Sequence, residues 1–300
     1  MIEIKNVSKS FGNFQALKNL SMTLPTGSVY GLVGPNGAGK TTLIRHVSGV
    51  CRPDAGEILL DGERIFDNPG AKEKIFCIYD DIFYYMHATT LDMMHFYKKL
   101  WPGFDTERYQ RLGQVFPEVD EKAPLRTLSR GMLKQSAFRL ALSCRPEILV
   151  LDEPVDGLDP VMRRQLWSIL MGDVAENGTT VLLSSHNLRE LEDVCDHVGI
   201  LHHGELLLER SLSELQDSVS KLQVLFPEGS VNCDLGDLEL LHRSSAGRMQ
   251  TLIVRGDPET ASEKLAAFHP IYVEAIPLTL EEIFIYELGG MDYAVSDILV

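Results

Sequence analysis

The segment SVYGLVGPNGAGKTTLIRHV, residues 28–47, constrains the fold of this chain more than any other stretch. An apolar run with strand character, SVYGLV, leads into a glycine-rich loop. The loop opens at once into a segment with helical spacing that puts Leu43, Ile44 and Val47 on one face. Gly34, Pro35, Asn36, Gly37, Ala38, Gly39, Lys40 and Thr41 fit the pattern G-x-x-x-x-G-K-[ST], and Thr42 follows. Glycines let the backbone wrap tightly enough for successive N–H groups to face an anion, and the helix starting near Lys40 aims its positive end there. Lys40 supplies a point charge for the outer phosphates of a nucleotide, and the Thr41 hydroxyl is a hard oxygen ligand for Mg²⁺. A chance glycine turn before Lys-Thr would lack the flanking strand and helix. By itself the loop does not separate kinases, GTPases, motors and transport ATPases.

The surrounding pattern predicts an α/β fold. IEIKNVSKSF and LKNLSMTL read as short strands, and EILLDGERI as another with a tight Asp61-Gly62 turn. From about Thr89 to Gln135, LDMMHFYKKLW and DTERYQRLGQVF have helical periodicity and suggest a helical insert. EILVLDEP and TTVLLSSH return to buried-strand character, separated by the helix-like VMRRQLWSILMGDVAENG. Near-continuous apolar strands alternating with helices imply a parallel sheet covered on both faces. Residues 1–211 are expected to form the main domain and residues 212–300 a small α+β appendage. In the appendage SLSELQDSVS and PETASEKLAAF read as helices and KLQVLF and IYVEAIP as strands, with a hairpin turning near Ser244–Gly247.

Charge and cysteine usage narrow the partners. Lys and Arg total 28 against 43 Asp and Glu, a net charge of -15, which speaks against a nucleic-acid partner because duplex binding requires a basic face. Five scattered cysteines, Cys51, Cys77, Cys144, Cys195 and Cys233, fit reduced thiols in the cytosol better than a disulfide framework or a zinc site. No stretch reaches the ~20 successive apolar residues of a spanning helix, and the start has no signal-peptide pattern. The expectation is a soluble chain whose membrane link, if any, runs through a partner.

Four further stretches carry candidate chemistry. ILVLDEP, Ile148 to Pro154, is a buried strand ending in two carboxylates at the end where ligands bind in parallel sheets. Neighbouring strand side chains point apart, so Asp152 is assigned to Mg²⁺ through water and Glu153 to an attacking water. His186 ends another apolar strand and is assigned a γ-phosphate contact rather than a structural role. In Leu128-Ser-Arg-Gly-Met132, Ser129 is either a helix N-cap or part of an anion site. GLDP, Gly157 to Pro160, is a turn leading into a helix.

Taken in order, GPNGAGKTT, LSRGM, LVLDEP, GLDP and SSH resemble the nucleotide-binding subunits of ATP-binding cassette (ABC) transporters. The resemblance covers about residues 1–210 and is greatest to export-type subunits that serve a separate membrane subunit. It implies the P-loop ABC ATPase fold, with a parallel core sheet, an antiparallel β subdomain and a helical subdomain at about residues 82–140. It implies ATP and Mg²⁺, cytoplasmic placement at the membrane, and a head-to-tail dimer with itself or a homologous ATPase subunit. Ser129 and Gly131 would then bind the γ-phosphate held by the other copy's Lys40 loop, with Glu153 and His186 catalytic. Asp159 would couple the two sites, and Phe11 would stack on adenine unless it is an ordinary core aromatic. A soluble non-transport ABC ATPase or an ATP-dependent switch is the alternative.

The chain departs from the family pattern in places. Asp80 stands where Gln or Glu is usual and is assigned to the metal, while Arg130 and Met132 replace Gly and Gln. Arg130 either reaches a phosphate or sits in solvent, and the solvent reading is favoured. The stretch from Asp81 to His95 is either a docking surface for the membrane subunit or packed inside the insert. LTLEEIF resembles the SLEDIF-like close of related C-terminal extensions; for the appendage a dimer clamp, a regulatory cover and a docking site are open, with dimer contact favoured. His202-His203 are expected at the surface and Met93-Met94 in the core.

Overall fold

Strands with alternating burial and strands buried throughout belong to different sheets. The computed structural model describes residues 1–227 and 238–288, so Cys233 lies outside the described residues. In chain order the elements are β1 (Ile2–Phe11), β2 (Phe14–Leu24), β3 (Val29–Val33), α1 (Lys40–Val47), β4 (Ala55–Leu60), β5 (Glu63–Arg64), α2 (Pro69–Lys72), β6 (Ile75–Ile78), α3 (Thr90–Leu100), α4 (Thr106–Val115), α5 (Arg130–Ser143), β7 (Ile148–Asp152), α6 (Pro160–Asn177) and β8 (Thr180–Ser185). They continue with α7 (Arg189–Glu192), β9 (His197–His202), β10 (Glu205–Ser211), α8 (Leu212–Ser218), β11 (Val219–Leu225), β12 (Leu240–Ala246), β13 (Met249–Arg255), α9 (Pro258–Ala266), β14 (Tyr272–Ile276) and α10 (Leu280–Leu288). The chain divides into two compact units, one of Met1–His186 with Val194–Glu209, the other of Asn187–Asp193 with the residues from Arg210 onward.

The first unit is an α/β fold with a parallel core sheet, an antiparallel sheet and a helical insert, the layout that the resemblance implies. A six-stranded sheet in the order β10-β9-β3-β8-β7-β6 has β9, β3, β8, β7 and β6 parallel, and an antiparallel sheet runs β2-β1-β4-β5. Every residue of β3, β7 and β8 is buried, as strands covered on both faces must be. Helix α1 buries Leu43, Ile44 and Val47 in a cluster that includes Ile4 and Ile58 of the antiparallel sheet and Val150 and Leu182 of the parallel one. A second cluster, with Met93, Met94, Tyr109, Leu125 and Leu140, is the core of the helical insert. Met93 and Met94 are core residues as expected. His202 is not at the surface, because it ends β9 with its side chain buried, whereas His203 is exposed.

One buried ion pair ties the insert to the sheet layer. Arg108 of α4 donates to Asp173 of α6, with side chains 14% and 9% exposed, and Asn177 also donates to Asp173 at 3.2 Å. Burial pushes the Asp173 carboxyl up, and the Arg108 guanidinium works against that shift. Breaking such a pair leaves an uncompensated buried charge. Asp173→Ala is therefore expected to cost about 3–5 kcal/mol in a denaturant titration, whereas Arg108→Met with Asp173→Leu comes out near neutral.

The second unit carries an antiparallel sheet in the order β12-β13-β11-β14. Helix α9, capped by Asp257, buries Ala261 and Leu265 against Leu222, Val224, Leu252 and Val254. Helix α10 packs on α7, where Arg189 pairs with Glu281 at 3.0 Å and Glu192 accepts from the Leu280 amide at 3.3 Å. Among the described residues no helix is long and apolar enough to cross a membrane.

Candidate nucleotide site

Parallel register brings the candidate residues together. Val33 pairs with Ser185, and Ser184 lies opposite both Leu32 and Asp152, so the residues just beyond β3, β7 and β8 emerge side by side. Gly34 follows β3 with no room for a Cβ, which would stand 2.2 Å from the Leu201 carbonyl oxygen. Gly39, at φ +112 and with the Ala16 carbonyl 2.7 Å from where a Cβ would be, precedes α1 without giving it a side-chain cap. The first N–H groups of α1 thus keep no side-chain partner at their cap position, the arrangement that suits an anion.

Lys40 is 5% exposed. Its Nζ donates to the Gly34 carbonyl at 2.6 Å and lies 3.3 Å from Glu153 Oε1. His186 Nδ1 is 2.9 Å from Glu153 Oε2, so the Glu153 carboxylate is held between a lysine and a histidine. Thr41 Oγ1 donates to Asp152 Oδ2 at 2.8 Å, and Ser184 Oγ donates to Asp152 Oδ1 at 2.6 Å. This hydroxyl and carboxylate are the hard oxygen donors that Mg²⁺ takes, and they lie beside the glycine-rich loop.

Asp80 is engaged elsewhere. Its Oδ1 accepts from Arg130 at 2.6 Å and lies 3.2 Å from Lys134 Nζ, while Arg130 also reaches Asp156 at 3.0 Å. Partial burial works to raise the Asp80 carboxyl, but the bonds from Arg130 and Lys134 outweigh it and hold it below the usual carboxylate range. Arg130 is exposed, as the solvent reading expects, and it is ion-paired there to both carboxylates.

A second group lies at the starts of α5 and α6. Ser129 caps α5 by accepting from the Met132 amide at 3.2 Å, and Asp159 caps α6 by accepting from Val161 and Met162. A Cβ at Gly131 would lie 3.0 Å from the Gly157 carbonyl, so the LSRGM and GLDP segments touch. Phe11 ends β1 at the hairpin tip and is 51% exposed, which removes the core reading of its ring. Phe14, its cross-strand partner, is 61% exposed.

Two residues escaped the sequence reading. Ser184 binds the Asp152 carboxylate and also accepts from the Glu153 amide at 3.1 Å; the available signal was a polar pair inside an apolar strand. Lys134 donates to the Glu153 carbonyl at 2.5 Å and is 1% exposed. Nothing local marks it among the residues of α5. Ser184→Ala leaves Asp152 and the Glu153 amide each short of a partner, and is expected to slow turnover about tenfold with ATP affinity nearly unchanged, as read from steady-state kinetics.

The ABC transporter family model matches residues 17–156. Over 290 residues the chain is 32% identical to the ABC transporter ATP-binding protein YtrB of Bacillus subtilis (strain 168), spanning 97% of this chain and 99% of that protein. The chain belongs to the ABC transporter ATP-binding proteins. This ABC subunit is also 32% identical over 228 residues to the lantibiotic transport ATP-binding protein SrtF of Streptococcus pyogenes, 75% of this chain and 98% of that one. A solved ATP-binding subunit of an ABC transporter matches it with TM-score 0.66 and 27% identity over 72% of this chain and 92% of the other. As an ABC ATPase the protein binds and hydrolyses ATP as the nucleotide-binding subunit of a transporter.

Proposed function

We propose that this ATPase works as a head-to-tail dimer with two composite sites, each built from the Lys40 loop of one copy and the Ser129–Gly131 segment of the other. The observation that carries this reading is the Glu153 carboxylate held between Lys40 at 3.3 Å and His186 at 2.9 Å, next to the Thr41–Asp152 pair. Phosphoryl transfer asks for charge placement and an oriented water more than for covalent chemistry. Glu153 orients the water and takes its proton as the water oxygen bonds to the γ-phosphorus and the bridging P–O bond to ADP breaks. Lys40 and His186 hold the γ-phosphate oxygens, and the α1 amides hold the phosphates behind them. Thr41 and Asp152 would hold Mg²⁺, which supplies charge neutralisation at the phosphates. Asp80, committed to Arg130 and Lys134, is left out of that metal set. Phe11 offers its exposed face to adenine, and Asp159 relays between the sites.

The membrane subunit docks, in this reading, on the segment after β6. There Phe83, Met86 and Tyr85 are 74%, 72% and 50% exposed, beside an apolar cleft of about 210 Å³ lined by Phe76, Ile82 and Tyr97 among others. Exposed aromatics clustered on one patch are what a partner interface uses. The protein then works at the cytoplasmic face through that partner.

The composite site is tested by mixing chains. Lys40→Ala and Ser129→Arg chains are each inactive alone, but a mixed head-to-tail dimer contains one site with both defects and one with neither. Mixing equal amounts is expected to restore about a quarter of parental ATPase activity, since half the dimers are mixed and half their sites intact. Activity that never rises above that of the two single variants would overturn the head-to-tail arrangement.

A further inference from the structure

Glu153 has φ +47, a backbone conformation unusual for any residue with a Cβ and typical of strain kept for function. Two bonds hold it from either side. Ser184 Oγ takes the Glu153 amide, and Lys134 Nζ donates to the Glu153 carbonyl at 2.5 Å. Lysine is almost never fully buried unless it is paired, and Lys134, 1% exposed in the middle of α5, has Asp80 Oδ1 at 3.2 Å as its counter-charge. A buried cation thus bridges the loop after β6 and the residue after β7.

We propose that Lys134 is a positioning residue for hydrolysis: by fixing the Glu153 carbonyl it fixes the direction in which the Glu153 carboxylate leaves the backbone, and through Asp80 it ties that hold to the end of β6. With the peptide after Glu153 unable to rotate, the Cα–Cβ bond points the carboxylate between Lys40 and His186. Burial pushes the Lys134 ammonium down, and the bond to Asp80 at 3.2 Å opposes that shift. This inference rests on the assignment of Glu153 to the attacking water.

The test uses the full chain with Mg²⁺ and ATP. Lys134→Met keeps the length and the buried stem and removes the donor. It is expected to lower kcat roughly tenfold to a hundredfold, the range for losing a hydrogen bond from a charged group, with KM for ATP and ATP-dependent dimer formation unchanged. In a Glu153→Gln background the same substitution is expected to change residual turnover by less than about twofold, since the group it positions is gone. Lys134→Arg keeps a donor and a charge but not the same geometry, and is expected to fall between parent and Met variant in kcat with KM unmoved.

Parental kcat in Lys134→Met, a rise in KM that tracks the loss of kcat, or full multiplication of the two defects in the double variant would each overturn the proposal. If Lys134→Met does not fold, Lys134→Arg decides alone: lowered kcat at constant KM supports the role, and parental kcat or a shifted KM overturns it. An active Glu153→Gln variant would sink the assignment of Glu153 itself. An inactive one beside a fully active Lys134→Met would sink only the role of Lys134.

Discussion

Glu153→Gln is expected to slow ATP turnover by about a hundredfold to ten-thousandfold, the range over which a positioned base contributes, while ATP still binds. Gln is close to Glu in shape, so the backbone bonds to Ser184 and Lys134 survive the change. What disappears is the negative charge facing Lys40 at 3.3 Å. Lys40 then has one anionic competitor fewer for the phosphate, and affinity is expected to stay level or rise. In the proposed head-to-tail dimer the γ-phosphate is then no longer removed, and the dimer is expected to persist in saturating ATP, because a ligand with strong preference for the closed form keeps the population there. Phosphate release measures the first effect and light scattering the second. Parental turnover, or a monomer at saturating ATP, would contradict it.

Lys40→Ala is expected to fail at the step before. Each charge-assisted contact to a phosphate oxygen is worth about 1.5–3 kcal/mol, so losing the cation of the loop is expected to weaken ATP binding about tenfold to a hundredfold and to remove measurable turnover. The loop loses the Lys40 bond to the Gly34 carbonyl but keeps the backbone constraints at Gly34 and Gly39. A melting temperature near the parent's with affinity lost is the expected pairing. Affinity within about threefold of the parent, by equilibrium dialysis, would show that the α1 amides do the binding without the lysine.

Much of this site was legible in the sequence because it lies where regular elements end. Asp152, Glu153 and His186 each follow an apolar run, and parallel register alone puts such strand ends together. The loop at Gly34–Thr41 was legible for the same reason, with β3 before it and α1 after it. The ion pairs of Arg130 were not, because its partners Asp80 and Asp156 are 50 and 26 positions away and only the fold makes them neighbours. Lys134 was hidden more deeply, as helical periodicity does not tell a lysine directed into the interior from one that reaches out along its stem. His202 misled because a polar pair before a glycine turn looks exposed, yet the first of the two still belongs to a buried strand.

The left-handed backbone at Glu153 sets heat tolerance and turnover against each other at one position. Glycine there would relax the chain, since it accepts positive φ at no steric expense, and the folded state would gain by it. Repeated rounds of enrichment for thermal endurance alone would drift toward that glycine and deliver a sturdier, idle protein. Kept under demand for work, the lineage must carry the strain and find its robustness elsewhere, in places such as the Arg108–Asp173 link, where greasy replacements are tolerated.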